Sequence, residues 1–296
     1  MNKLPSVPYG FINIDKPLHL TSHDVVNRVR RKLNIKKVGH SGTLDPLASG
    51  VLVVCVGQAT RLSEYVMGSR KRYRACIKLG ETTATYDAEG AVLTYTDPTA
   101  ITMAEIQAQL SAFTGDIQQL PPMYSAVKMN GKKLYELARE GESIERQFRA
   151  VTIYSLTIES FENPLLTLSV HCGSGTYIRS LAHDLGQTLG VGAHLCGLVR
   201  TQSGAFNLEQ AVALEAFMES NEPTRYIIPP SPNSLPLPHL TLDARAIERV
   251  KNGQAICADL PLDNQVVIAF DQDDRLIAVL QADEGNLKPN KVFTSQ

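Results

Sequence analysis

Residues 51–56 read Val-Leu-Val-Val-Cys-Val, six strand-forming residues with no polar alternation. A strand with one face in water alternates apolar and polar side chains, so an unbroken run of this length reads as a buried strand. It is preceded by Gly-His-Ser-Gly-Thr-Leu-Asp-Pro-Leu-Ala-Ser-Gly (39–50), rich in glycine and serine and broken by Pro46, which reads as a loop. One carboxylate, Asp45, stands in that bed of small residues. Pro46 pushes its backbone towards the extended region. The glycines at 39, 42 and 50 permit tight turning and leave space for a bulky ligand. By spacing alone, Asp45 also fits an Asx-turn or a helix N-cap.

Around this loop, helix and strand signals alternate. In Leu20–Asn34, Thr21 can cap a helix with Asp24 three residues on, and Val25, Val26, Val29 and Leu33 recur at helical spacing. The segment 72–95 reads as a hairpin-like strand pair joined by Asp-Ala-Glu-Gly, and 102–115 has helical periodicity through Ile106, Leu110 and Phe113. Residues 165–172 read as a strand, Gly-Ser-Gly as a turn, and 176–190 as a helix facing Ile178, Leu181, Ala182, Leu185 and Leu189 to a core. Hairpins among alternating strands and helices favour a mixed α+β sheet over a doubly wound one. Five prolines in 227–240 mark an extended linker, and the last 58 residues carry short strand-like runs of a small β-rich module.

A length of 296 residues with 43% hydrophobic and 20% charged content is ordinary for a globular chain, and two domains are expected. No apolar run approaches the ~20 residues of a membrane span, and the N-terminus carries no apolar secretory segment. Five scattered cysteines form neither a disulfide framework nor a CxxC pattern, which favours a reducing cytoplasm. The net charge of −1 conceals clustering. Bases crowd 28–37, surround Tyr73 at 70–74, and recur in Lys-Met-Asn-Gly-Lys-Lys (128–133) and at Arg139, so local surfaces attractive to phosphates are expected beside the plainer reading of solvated faces.

Tyr73, set among these bases, suits stacking on a nucleobase, or packing as an ordinary strand tyrosine. Arg179, on the first turn of its helix, could pair with a carboxylate across a cleft or lie exposed. There is no GxGxxG or GxxxxGK[ST] element, and the His and Cys spacings match no zinc pattern, so neither a nucleotide cofactor nor a metal is expected. His183 reads as structural. No GxSxG elbow supports a serine hydrolase.

Taken in order, the segments resemble the bacterial tRNA pseudouridine-55 synthase family, TruB, over most of residues 9–210. "GFINIDKPLHLTSHDVV" resembles its K-P-x-G-x-T-S block and carries Lys16; "VGHSGTLDPLASGVLVVCVGQATRL" is close to its G-H-x-G-T-L-D-P signature; "KRYRA", "GETTATYDAEG", "PPMYSAVKMNGKKLYELAREG", "CGSGTYIRSLAHDLG" and "GAHLCGLVRTQSG" follow. His19 stands where the family has Gly, which is expected to alter that turn, and Val199 where it commonly has Arg. The resemblance implies a mixed, largely antiparallel catalytic domain (1–229) with a thumb-like insertion (118–150), a linker (230–238) and a PUA-like RNA-binding module (239–296). It implies catalysis by Asp45 on a flipped uridine, support and stacking by Tyr73, Arg179 and Leu198, and RNA contacts by His40, Lys16, Thr43, Lys128, Arg139 and Arg200. The implied partner of this expected cytoplasmic monomer is the T-arm of tRNA, with no cofactor. The alternatives are a synthase for another RNA uridine and a non-catalytic RNA-binding protein or tRNA-folding chaperone; intact Asp45, Tyr73 and Arg179 favour catalysis.

Overall fold

The computed structural model describes residues 8–125, 128–129, 132–133, 146–257, 265–283 and 285–293. In chain order its main elements are β1 (Gly10–Lys16), α1 (Ser22–Leu33), β2 (Val38–His40), β3 (Ala48–Val56), β4 (Lys71–Leu79), α2 (Met103–Leu110), β5 (Gly115–Gln119), β6 (Arg149–Glu162) and β7 (Leu165–Cys172). They are followed by α3 (Ile178–Thr188), β8 (Ala193–Ser203), β9 (Val212–Ala213), β10 (His239–Thr241), α4 (Ala244–Lys251), β11 (Ile256–Cys257), β12 (Val266–Phe270), β13 (Leu276–Asp283) and β14 (Asn286–Val292). Two units partition them. One comprises Met1–Asp45, Val51–Ser69 and Ser203–Gln296; the other comprises Pro46–Gly50 and Arg70–Gln202.

In the first unit, Thr21 caps α1 as the sequence predicts: its side chain accepts from the Asp24 amide at 3.1 Å, and the Asp24 carboxylate accepts from the Thr21 amide at 3.0 Å. Val25, Val26 and Val29 are buried on one face. The apolar run Val51–Val56 is fully buried, and β2 pairs antiparallel with it, Val38 opposite Val56 and His40 opposite Val54. β1 runs parallel to β9. The C-terminal strands form a five-stranded sheet in the order β10-β12-β13-β14-β11. Its apolar side joins Tyr9, Phe11 and Val53 in one core that also takes Ile268, Phe270 and Phe293. Arg61 reinforces the joint by donating to the Val292 carbonyl at 2.7 Å.

Two features here differ from the sequence reading. The proline-rich segment is not a bare extended tether: Pro232–Ser234 forms a 3-10 turn, and Leu235 is buried in that shared core. Apolar side chains between the prolines override the tendency of the prolines to stay extended. The module also contains α4, whose charged sequence hides a helix that Asp243 caps by accepting from the Ala246 amide at 2.7 Å.

The second unit pairs Ala48–Gly50 parallel to β8, and its strands follow in the order β8-β4-β7-β6-β5. The pairs β4–β7, β7–β6 and β6–β5 are antiparallel. The sheet is thus mixed and largely antiparallel. Its core sits under α3 and α2, where Ile178, Leu181, Ala182 and Leu185 meet Ile77, Leu168 and Ile106. Each such large aliphatic side chain contributes about 1.5–3 kcal/mol on burial. The Asp-Ala-Glu-Gly turn joins two shorter strands, Glu81–Thr83 and Val92–Tyr95, while β4 itself pairs with β7. Burial pushes the Cys55 thiol up to about 12 and the Cys172 thiol up to about 11, so both serve as small apolar side chains.

Gly186 of α3 lies where a Cβ would meet the Ala193 amide nitrogen at 2.1 Å. Alanine is intrinsically the better helix former by about 0.5–1 kcal/mol. Overpacking against backbone costs about 1–3 kcal/mol and wins. Gly186→Ala should therefore lower the denaturant midpoint, and an unchanged or raised midpoint would show that the close approach is not needed.

Candidate active site

The loop bearing Asp45 is anchored on each flank. On the N-terminal side, the buried Ser22 hydroxyl accepts from the Leu44 amide at 2.8 Å and donates to the Leu44 carbonyl at 3.1 Å, fixing the residue before Asp45 to the start of α1. On the C-terminal side, Ala48, Ser49 and Gly50 pair with Leu198, Val199 and Arg200. Gly50 adopts φ +97°, and a Cβ there would lie 2.3 Å from the Arg200 carbonyl oxygen, so only glycine fits. Asp45 itself is half-buried and has extended, non-repetitive neighbours, with Pro46 opening the turn into β3. It closes a segment of the first unit, and Pro46 begins the second.

In the turn before α1, His19 takes φ +64°, the left-handed region that glycine occupies without strain. The wholly buried Lys16 ammonium donates to the carbonyls of Pro17 at 2.8 Å and Leu20 at 2.7 Å and so staples the turn.

Within the second unit, Tyr73 lies half-buried on β4 and packs against the core beneath α3. Leu198 on β8 and Leu47, two residues past Asp45, pack against the same core. Arg179, on the first turn of α3, is only 6% exposed rather than lying in solvent. Its Nη1 sits 3.2 Å from the Asp87 carboxylate and 3.3 Å from the Thr85 carbonyl, and its Nη2 donates to the Tyr124 carbonyl at 2.7 Å. Asp87 is 2% exposed, and its carboxylate also accepts from the Glu89 amide at 3.1 Å and from the Thr85 hydroxyl. A buried charge persists only when paired and hydrogen-bonded, and here both ions are. Gln119, at the end of β5, holds the helix start: its amide donates to the Tyr177 carbonyl at 2.9 Å and accepts from the Tyr177 amide at 2.7 Å. His183 stacks on Tyr86 at 3.9 Å, a packing role as expected.

The other expected RNA contacts divide. His40 is half-buried at the end of β2, and Thr43 is exposed. Lys128 belongs to the short strand Lys128–Met129, while Arg139 and part of the thumb-like segment lie outside the described residues. Lys16 and Arg200 are only 0% and 1% exposed, and the Lys16 ammonium donates to backbone carbonyls. Lys71 is buried near Arg200; burial, with the Arg200 charge second, brings its ammonium down to about 8.

Asp87, Gln119 and Ser22 were not singled out by sequence reasoning. Asp87 stands in the quoted Thr-Tyr-Asp-Ala-Glu-Gly block, where it reads as a turn residue. A signal did exist: an acid placed inside a matched block.

The fold and its relatives define the class: an RNA pseudouridine synthase, an isomerase. The match with solved structures agrees in fold. A chain from a structure titled as an H/ACA ribonucleoprotein bound to a substrate RNA containing 2′-deoxyuridine superposes with TM-score 0.76 at 26% identity, covering 98% of this chain and 86% of that one. A Cbf5-Nop10-Gar1 complex gives TM-score 0.75 at 29% identity, covering 98% and 85%. Residues 30–178 match the TruB family pseudouridylate synthase N-terminal domain, and 179–229 match the tRNA pseudouridylate synthase B C-terminal domain. A tRNA pseudouridine synthase B of Symbiobacterium thermophilum is 48% identical over 86% of this chain and 85% of its own length. One of Dehalococcoides mccartyi is 42% identical over 97% of both. The chain belongs to the TruB family of tRNA pseudouridine synthases.

Removing Asp87 would leave the Arg179 guanidinium buried without its carboxylate, which costs about 3–5 kcal/mol. Unfolding midpoints should fall in the order wild type, Asp87→Asn, Asp87→Ala, because the amide keeps the hydrogen-bond geometry without the charge. Equal midpoints for wild type and Asp87→Ala would show that the pair does not hold α3.

Proposed function

We propose that this enzyme converts uridine 55 in the T-loop of tRNA to pseudouridine, with Asp45 as the catalytic residue. The observation that carries this reading is the anchoring of the Asp45 loop, by Ser22 on one flank and by the Ala48–Gly50 pairing on the other. A carboxylate held this way meets the demand that a reacting group be positioned before substrate arrives. Family membership supports the same reaction class.

The reaction breaks the N1–C1′ bond, turns the base, joins C5 to C1′, releases the C5 proton and takes up a proton at N1, so atoms and oxidation states balance. A uridine inside a folded loop must first be flipped out, at a cost of a few kcal/mol. Asp45 acts on the ribose, and two routes satisfy the balance: attack at C1′ or removal of the C2′ proton. In this reading Tyr73 stacks on the uracil and relays the C5 proton, and Leu198 walls the pocket. Arg179 supplies the positive charge that keeps Asp45 ionised, and Asp87 orients Arg179. His40 fills the space that the base vacates. Residues 118–150 close over the RNA, and the module 239–296 adds a further RNA contact. The protein works as a cytoplasmic monomer.

Tritium release from a T-arm stem-loop labelled at uridine C5 tests this directly. Wild type should release label and Asp45→Asn should fall to background while still binding RNA. Release by Asp45→Asn at the wild-type rate would remove Asp45 from the mechanism, and binding without release by either protein would favour a chaperone. Because phosphate contacts displace counterions, affinity should fall steeply between about 50 and 200 mM salt. A flat salt profile would exclude a phosphate-tracking surface.

A further inference from the structure

The sheet of the second unit has a second chemically marked face. Along β4, Tyr73, Ala75 and Ile77 turn to the core beneath α3, so alternation turns Arg72 and Arg74 to the opposite, exposed side. Arg72 lies directly across from His171 of β7. His171 packs against Tyr154 of β6, ring centroids 4.9 Å apart, and the Arg70 guanidinium lies 4.3 Å from the Tyr154 ring centre. Tyr154 is 40% exposed, a large aromatic left in water.

Acids on this side are engaged elsewhere. Glu159 pairs with Arg74 at 2.6 Å, and Asp116 accepts from the Thr152 hydroxyl at 2.7 Å. Among the described residues neither Arg70 nor Arg72 forms an ion pair. Their field is felt by His171, whose protonated form is disfavoured first by burial and then by Arg72 and Arg70. Two guanidinium groups and an imidazole are thus gathered around an exposed phenol with no carboxylate to balance them. Such clustering is electrostatically costly in isolation and favourable once an anion arrives. Arginine beside an exposed aromatic ring matches a backbone phosphate next to a stackable base.

We propose that Arg70, Arg72, Tyr154 and His171 form a second RNA-binding surface, on the face of the sheet opposite Tyr73, that grips the phosphate backbone of tRNA outside the T-arm. The proposal rests on the tRNA reading above and extends it to a part of the substrate that an isolated stem-loop lacks. A surface of this kind adds affinity for the whole molecule without touching the chemistry, because phosphate contacts position RNA rather than select a base.

The test compares equilibrium binding of an unmodified full-length tRNA transcript and of the isolated T-arm stem-loop, with tritium release from the stem-loop followed in parallel. An Arg70→Gln/Arg72→Gln double variant should bind the full-length transcript roughly 5- to 20-fold more weakly, as expected for two lost phosphate contacts. It should bind and turn over the stem-loop like wild type, which also reports that it is folded. Arg70→Lys/Arg72→Lys should restore most of the affinity, and Tyr154→Ala should show a smaller loss for the transcript alone. Equal weakening on both RNAs, or no weakening on either, would overturn the proposal. Failure of wild type to release label would instead sink the functional reading, and the ratio of the two binding constants would still decide the surface.

Discussion

The burial of the Arg179 guanidinium is the constraint around which the second unit is arranged. A permanently charged group at 6% exposure demands an anion and several acceptors within reach, and no single segment supplies them. Asp87 brings the charge, while the Thr85 and Tyr124 carbonyls complete the set. Those acceptors come from a turn between two short strands and from the segment after β5, so the ion fastens the first turn of α3 to both. Gln119 and the Ser180 hydroxyl, which donates to the Leu120 carbonyl at 2.8 Å, fasten it again from the strand side. The net stabilisation of such a buried pair is small, since desolvation offsets attraction. Its value lies in specifying one arrangement of the segments.

Local signals in the sequence translate well into structure. The Thr21–Asp24 capping box, the apolar run at 51–56 and the apolar face of α3 each depend on neighbours a few residues away. What escaped is what depends on distant partners. Arg200 carries a charge that defaults to the surface, yet the fold leaves it 1% exposed. Asp87 looks like a turn residue until Arg179, 92 positions later, is folded against it. Leu235 and Leu237 show the same limit: a run of prolines hides two leucines whose destination is a core formed by the other end of the chain.

The Asp45 loop illustrates how glycine and serine divide labour. Ser22 fixes the preceding leucine with one hydroxyl acting as both donor and acceptor. Gly50 lets two backbones approach more closely than any side chain would allow. The loop's small residues therefore do more than leave room for ligand; they allow its ends to be fixed while its centre stays polar and accessible. His19 sits in the left-handed region of a turn whose Pro17 and Leu20 carbonyls are held by the buried Lys16 ammonium.

Tyr9 and Phe293 stack with ring centroids 6.3 Å apart, although they lie near opposite ends of the chain. On a ribosome, β1 emerges well before the residues of the C-terminal sheet that share its core. Residues 70–202, by contrast, hold nearly all of the second unit in one uninterrupted stretch. Contacts between near segments form quickly and those between far ones slowly. β1 must therefore wait for its distant partners Ile268, Phe270 and Phe293, while the continuous stretch of the second unit can pair its strands first.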